Sequence, residues 1–337
     1  MKKLLVFLGV VLTAIGSAGW AQEVDSTATL QKSSWGDAQE NEVTDLIPEI
    51  SLDMRGGYEQ NFTEGTGRFF GDGLYLDING TIGRGFSYSV NHRIASSYYE
   101  DNAGFNGTNW LTLTYEIGDF AFTAGKDGLL VGSFEYDAHD LDTYYNMNSS
   151  FYNEFDCWQW GVSAAWYPAE DHELLLQIAN SPFAYGEPNM FAYALGWRGA
   201  WDWYESYWTA NLWEYGNGGF VKSLNLGNRF YAGNFTIDLD LMGRFADNLP
   251  EPFNAWNATL SPAYNFSDWG RVFVKAGIES TGSPFGGAGF EYFPLHDNKD
   301  IRIHAAWSYN DWMYGHMVDI GLTWKMNLTG IFTRLIR

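Results

Sequence analysis

From residue 48 to residue 326 one unit recurs: about ten residues alternating apolar with polar or small side chains, then a turn rich in Gly, Asn, Asp or Pro. Period two is the period of a strand, because successive side chains leave opposite faces of the backbone. In Ile301-Arg302-Ile303-His304-Ala305-Ala306-Trp307-Ser308-Tyr309, every odd position is apolar or aromatic, while Arg302, His304 and Ser308 fall on the other face. The same split puts Phe235, Ile237, Leu239 and Leu241 against Thr236, Asp238 and Asp240, and Val318, Ile320, Leu322 and Trp324 against Asp319, Thr323 and Lys325. Charge is confined to one face. A chain of this kind must bury an apolar face and wet a charged one, strand after strand.

Sixteen such runs can be counted, beginning with 48–59 and 72–81 and ending with 300–309 and 315–326. An even number of antiparallel strands brings both ends to one side, as a single-chain bacterial barrel requires. The connections alternate as well. Turns after even strands are short (82–85, 168–172, 266–270, 296–299), and those after odd strands are longer (61–71, 97–107, 182–189, 246–253). Short periplasmic turns and longer outer loops have this rhythm. The expected fold is therefore all-β, a transmembrane antiparallel β-barrel of about sixteen strands over residues 47–337, with a soluble β-sandwich as the alternative.

Composition agrees with a barrel. The chain carries 16 Trp, 21 Tyr and 24 Phe, yet its mean hydropathy of −0.26 is too polar for a bundle of membrane helices. A barrel needs only its outer face apolar, and Trp110, Trp158, Trp166, Trp197, Trp208, Trp256, Trp307 and Trp324 near strand ends fit two interfacial girdles. For Tyr136, Tyr144, Tyr145 and Trp160, a sugar-stacking track in the channel is the alternative.

Residues 1–21, with Lys2 and Lys3, an apolar run from Leu4 to Ile15 and small residues up to Ala21, read as a secretory signal peptide cut before Gln22. Residues 22–46 lack the alternation and read as a polar periplasmic lead-in. The formal charge of −22 becomes −24 once Lys2 and Lys3 are removed, so nucleic acid is not an expected partner. Cys157 is the single cysteine, the six histidines are scattered without HExxH spacing, and GxSxG and phosphate-cradling glycine loops are absent. No enzyme, metal or cofactor is expected.

The longest connection, 127–156, follows the fifth strand and is therefore the third outer loop. It carries Glu135, Asp137, Asp140, Asp142, Glu154 and Asp156 and no Lys or Arg. At that ordinal place it resembles the inward-folded constriction of sixteen-stranded porins, with Glu135, Asp137, Asp140, Asp142 and Tyr144 as candidate constriction residues. The alternation points Arg93, Arg198, Arg229, Arg244, Arg271, Lys275, Arg302 and Lys325 inward as candidate lumen-wall cations, together with Arg55. Asp53, Asp77, Glu116, Asp238, Asp240, Glu279, Glu291 and Asp319 share that face. A charged wall suits a water-filled channel. Basic wall and acidic loop either set a transverse field or pair with one another.

The passage Thr123-Ala124-Gly125-Lys126, then Gly132-Ser133-Phe134-Glu135-Tyr136-Asp137, then Tyr144-Tyr145, resembles the strand-to-third-loop region of the phosphate-selective porin O and P family and its relatives in Bacteroidetes-like bacteria. The resemblance implies a homotrimeric porin in the outer membrane of a Gram-negative bacterium, in contact with outer-membrane lipid. It also implies passive passage of small hydrophilic solutes or ions, including anions such as phosphate. The acidic loop and the basic wall point to opposite charge preferences, and the choice stays open. A non-conducting barrel acting as an adhesin or structural protein is the second reading.

Overall fold

A computed structural model describes residues 47–94, 107–138, 140–183, 189–216, 218–247, 249–250, 252–296 and 298–330. The expected leader and lead-in lie outside the described residues. The strands are β1 (Glu49–Asn61), β2 (Thr66–Gly83), β3 (Phe86–Arg93) and β4 (Thr108–Ile117). They continue with β5 (Phe120–Gly128), β6 (Trp158–Ala169), β7 (His172–Asn180) and β8 (Phe191–Trp201). Next come β9 (Tyr204–Tyr215), β10 (Gly219–Ala232), β11 (Phe235–Phe245) and β12 (Trp256–Phe266). The last four are β13 (Gly270–Glu279), β14 (Pro284–Tyr292), β15 (Ile301–Asn310) and β16 (Gly315–Asn327). Every neighbour pair is antiparallel, and β1 closes on β16, so the sixteen strands form one barrel with no free edge. No helix among the described residues is long and apolar enough to cross a membrane.

The alternation sorts the two faces. On β7, Leu176 and Ile178 are exposed while Glu173, Leu175, Gln177 and Ala179 are buried toward the lumen. On β9 and β10, Trp208, Leu212 and Leu224 face out, and Thr209, Asn211, Ser223 and Asn225 face in and bond to one another. Of the expected girdle residues, Trp166, Trp208, Trp256, Trp307 and Trp324 are exposed on the outer wall.

The expected loop 61–71 is not a loop. β2 begins at Thr66 and runs for 18 residues, so the first outer connection is only the turn 62–65. Gly67, Arg68, Phe69 and Phe70 pair with Gln60, Glu59, Tyr58 and Gly57, and a register shift between Arg55 and Gly57 lets the long strand keep its pairing. The connections after β9, β13 and β15 are short too, so the long outer connections are those after β3, β5, β7 and β11. Gly125 on β5 has φ of 142° and Gly286 on β14 has φ of 145°. A Cβ at either would run into a carbonyl oxygen of the neighbouring strand, that of Leu111 or Lys275.

Candidate functional site

The connection between β5 and β6, residues 129–157, turns into the barrel and is held there by inward side chains. Its first stretch runs along the wall like an extra strand whose backbone partners are wall side chains. Gln177 of β7 accepts from the Leu130 amide at 2.9 Å and donates to the Gly128 carbonyl at 2.9 Å. Asn211 of β9 donates to the Leu130 carbonyl at 2.6 Å, and Thr209 accepts from the Gly132 amide at 2.9 Å. Asp240 of β11 accepts both the Phe134 and Glu135 amides at 3.0 Å. Strand-like backbone inside a lumen would otherwise leave these polar groups unpaired, at a cost of about 1–3 kcal/mol each.

The loop then crosses to the opposite wall. Arg55 of β1 donates to the Thr143 carbonyl at 2.6 Å, and its guanidinium sits 4.6 Å from the centre of the Tyr144 ring. Asn146 donates to Ser308 of β15 at 2.9 Å, and Asn310 donates to the Asn148 carbonyl at 2.7 Å. Two adjacent serines clamp two carboxylates: the Ser149 amide and hydroxyl reach Glu135 at 3.0 and 2.7 Å, and those of Ser150 reach Glu279 of β13 at 2.6 and 2.8 Å. Ser149 also caps a short helix, α1 (Ser150–Glu154), by accepting from the Tyr152 amide at 3.2 Å.

The return stretch is apolar. Phe151 is fully buried against Phe155 and Trp213 of β9, at ring distances of 4.6 and 5.8 Å, with the Arg244 guanidinium 4.2 Å from its ring centre. Leu129, Val131, Val221 and Met242 complete this cluster inside the barrel. Burying it fixes the loop through packing as well as through polar contacts.

The expected constriction residues divide by role. Glu135 is buried and receives Lys275 at 2.7 Å. Asp137 receives Arg198 of β8 at 2.5 Å, and Asp142 pairs with Arg302 of β15. Tyr144 packs 5.1 Å from Phe273 and reaches Glu291 at 3.3 Å. Burial, reinforced by that carboxylate, holds its phenol well above the ordinary tyrosine range, so it stays neutral. Asp140 opens a 3-10 turn (Asp140–Asp142), and its side chain lies outside the described residues.

All eight wall cations sit at inward registers, as in the pairings Arg93 with Tyr75, Arg198 with Glu173 and Lys325 with Asp53. Arg229 pairs with Asp238 at 2.7 Å, and Arg271 lies 3.9 Å from Glu291. Arg244 is engaged by the Pro252 carbonyl and Asn257. Wall and loop charges thus meet as ion pairs where a field across open water was the other expectation. Trp160 departs from the stacking-track reading, since it is exposed on the outer wall, and Tyr136 is packed into the apolar cluster. Reading the sequence missed Asp240, Gln177, Ser149 and Ser150 as loop anchors. Only the inward parity of Asp240 and the cap pattern at Ser149 hinted at them.

A family profile described as "Phosphate-selective porin O and P" matches residues 58–232. Among solved structures, two mutants of the Rh. blastica porin and a triple mutant given as the Rhodopseudomonas blastica porin superpose with TM-scores of 0.60 to 0.61 at 12% identity. The match covers 83% of this chain and 100% of each of theirs. At that identity the likeness concerns the fold. No curated protein matches the sequence.

Proposed function

Since the chain belongs to the phosphate-selective porin O and P family and is a passive porin of the outer membrane, we propose that its third outer loop forms the constriction for small hydrophilic solutes and ions. The observation that carries this reading is the course of residues 129–157. Their polar anchors run from β7 around to β1, which leaves the arc of β2 to β6 as the side along which water and solute pass. That arc offers Ser87, Ser89 and Ser163 at inward registers, half-buried hydroxyl-bearing side chains that can replace part of a solute's hydration.

Asp137 and Asp142 would set the inner edge of the constriction, with Asp140 and Tyr144 beside them and Glu135 bracing the loop from behind. Arg93, Arg198, Arg229, Arg244, Arg271, Lys275, Arg302 and Lys325 would set the wall. Arg271, whose side chain is 43% exposed, is where an anion such as phosphate would be met. A homotrimer is proposed from the family resemblance, and residues 1–21 are proposed as the export leader.

The test is vesicle swelling with neutral sugars of increasing size. Replacing residues 138–147 by a short glycine linker should admit larger sugars than the intact protein does. Identical size limits for the two proteins would overturn the constriction role.

A further inference from the structure

The porin reading leaves open the sign of charge that the narrow zone favours, and the exposure of the individual partners within its ion pairs bears on this. We infer that the aperture favours cations, because the two arginine–aspartate pairs among its three wall-to-loop pairs turn their carboxylates, and not their guanidiniums, toward water, while in the third Lys275 is only 13% exposed and Glu135 1%. The inference rests on the loop being the constriction. In the pair of Arg198 with Asp137 the arginine side chain is 9% exposed and the aspartate 34%. In that of Arg302 with Asp142 the values are 12% and 33%. In each case the cation lies against the wall and the loop carboxylate stands in front of it. A passing ion meets the negative end of each pair first.

The placement of the two pairs strengthens the effect. β8 and β15 are seven strands apart in a ring of sixteen, nearly opposite one another. Both arginines lie toward the end of the barrel that carries the described chain termini, Arg198 near the end of β8 and Arg302 near the start of β15. The six residues from Asp137 to Asp142 span at most about 18 Å when extended, so the carboxylates at the two ends of this segment flank the same narrow zone from both sides. With a Debye length of about 8 Å at physiological salt, such nearest charges dominate what a mobile ion experiences.

The remaining wall cations do not offset this. Lys275 is held by Glu135 at 2.7 Å and Asn148 at 2.5 Å, Arg55 by Asp319 at 2.7 Å, and Arg229 by Asp238 at 2.7 Å. Arg244 is almost fully buried. Arg271, with a side chain 43% exposed, opposes them, and Arg93 and Lys325 are half-buried at inward registers. The net formal charge, −22 for the whole sequence, adds a field of the same sign. Inorganic cations and small protonated amines should therefore pass in preference to phosphate or chloride.

The experiment is the reversal potential of the full-length protein in a planar bilayer under a potassium chloride gradient. The expected cation-to-anion permeability ratio is above one. Asp137→Asn with Asp142→Asn should lower it toward or past one, since Arg198 and Arg302 then lose their screens. Arg271→Gln, which leaves both pairs intact, should raise it. A wild-type ratio at or below one overturns the inference while leaving the porin reading intact, as does a ratio that the aspartate variants do not lower. A fall with Arg271→Gln also overturns it. Loss of all conductance in the wild type would instead remove the porin reading, and the inference with it.

Discussion

Replacing Lys275 by methionine should free the inward loop more than any change to a surface charge. The ammonium donates to Glu135 at 2.7 Å and to Asn148 at 2.5 Å, and Glu135 is a buried carboxylate that also holds the amide and hydroxyl of Ser149. Lys275→Met keeps the length of the side chain but leaves that carboxylate buried without its counter-charge. Breaking a buried pair from one side costs about 3–5 kcal/mol. At about 1.4 kcal/mol per decade, this is a roughly hundred- to four-thousand-fold rise in the population of loop-detached molecules. Cys157, the single cysteine, is a native reporter, half-buried at the end of the loop against the Phe151 cluster. Its labelling rate by a water-soluble maleimide follows loop opening when closing is fast. The variant should label faster by about two orders of magnitude, and Arg68→Gln, at an exposed pair with Glu59, should not change the rate. An increase below about threefold in the Lys275 variant would refute the view that this pair pins the loop.

Other consequences can be checked separately. Phe151→Ala empties the centre of the apolar cluster and should lower the loop's resistance to urea by about 3–5 kcal/mol, read by Cys157 labelling; a loss under 1 kcal/mol would count against packing as a fastener. Gly125→Ala should abolish refolding into lipid vesicles, because its Cβ would meet the Leu111 carbonyl. Gly71→Ala, with open space around it, should refold with normal yield. Leu176→Arg, on the exposed face at the middle of β7, should destabilise the folded barrel by roughly 2–4 kcal/mol in vesicles, and a neutral result would mean that this face does not meet lipid.

The barrel was legible because alternation is a local property. Ile301 to Tyr309 declares its two faces within nine residues, and Arg302 and His304 are indeed inward. The extension of β2 was hidden by Gly65, Gly67, Gly71 and Gly73, which read as turn residues although all five residues between Gly65 and Gly71 pair with β1. The inward face of the wall could be listed from parity alone, but its partners could not. Arg302 and Asp142 are 160 residues apart, and no periodicity joins them. A reading of the third loop as acidic passed over Leu129, Leu130, Val131, Phe134, Phe151 and Phe155, and these apolar residues are what a loop needs when it packs inside a barrel.

The most direct test is single-channel conductance of the refolded protein in a planar bilayer, before and after shortening the loop across residues 138–147. Stepwise openings with a nearly linear current–voltage relation, larger after shortening, are expected of a passive channel narrowed by this loop. A correctly folded barrel that stays silent in both forms would contradict the account.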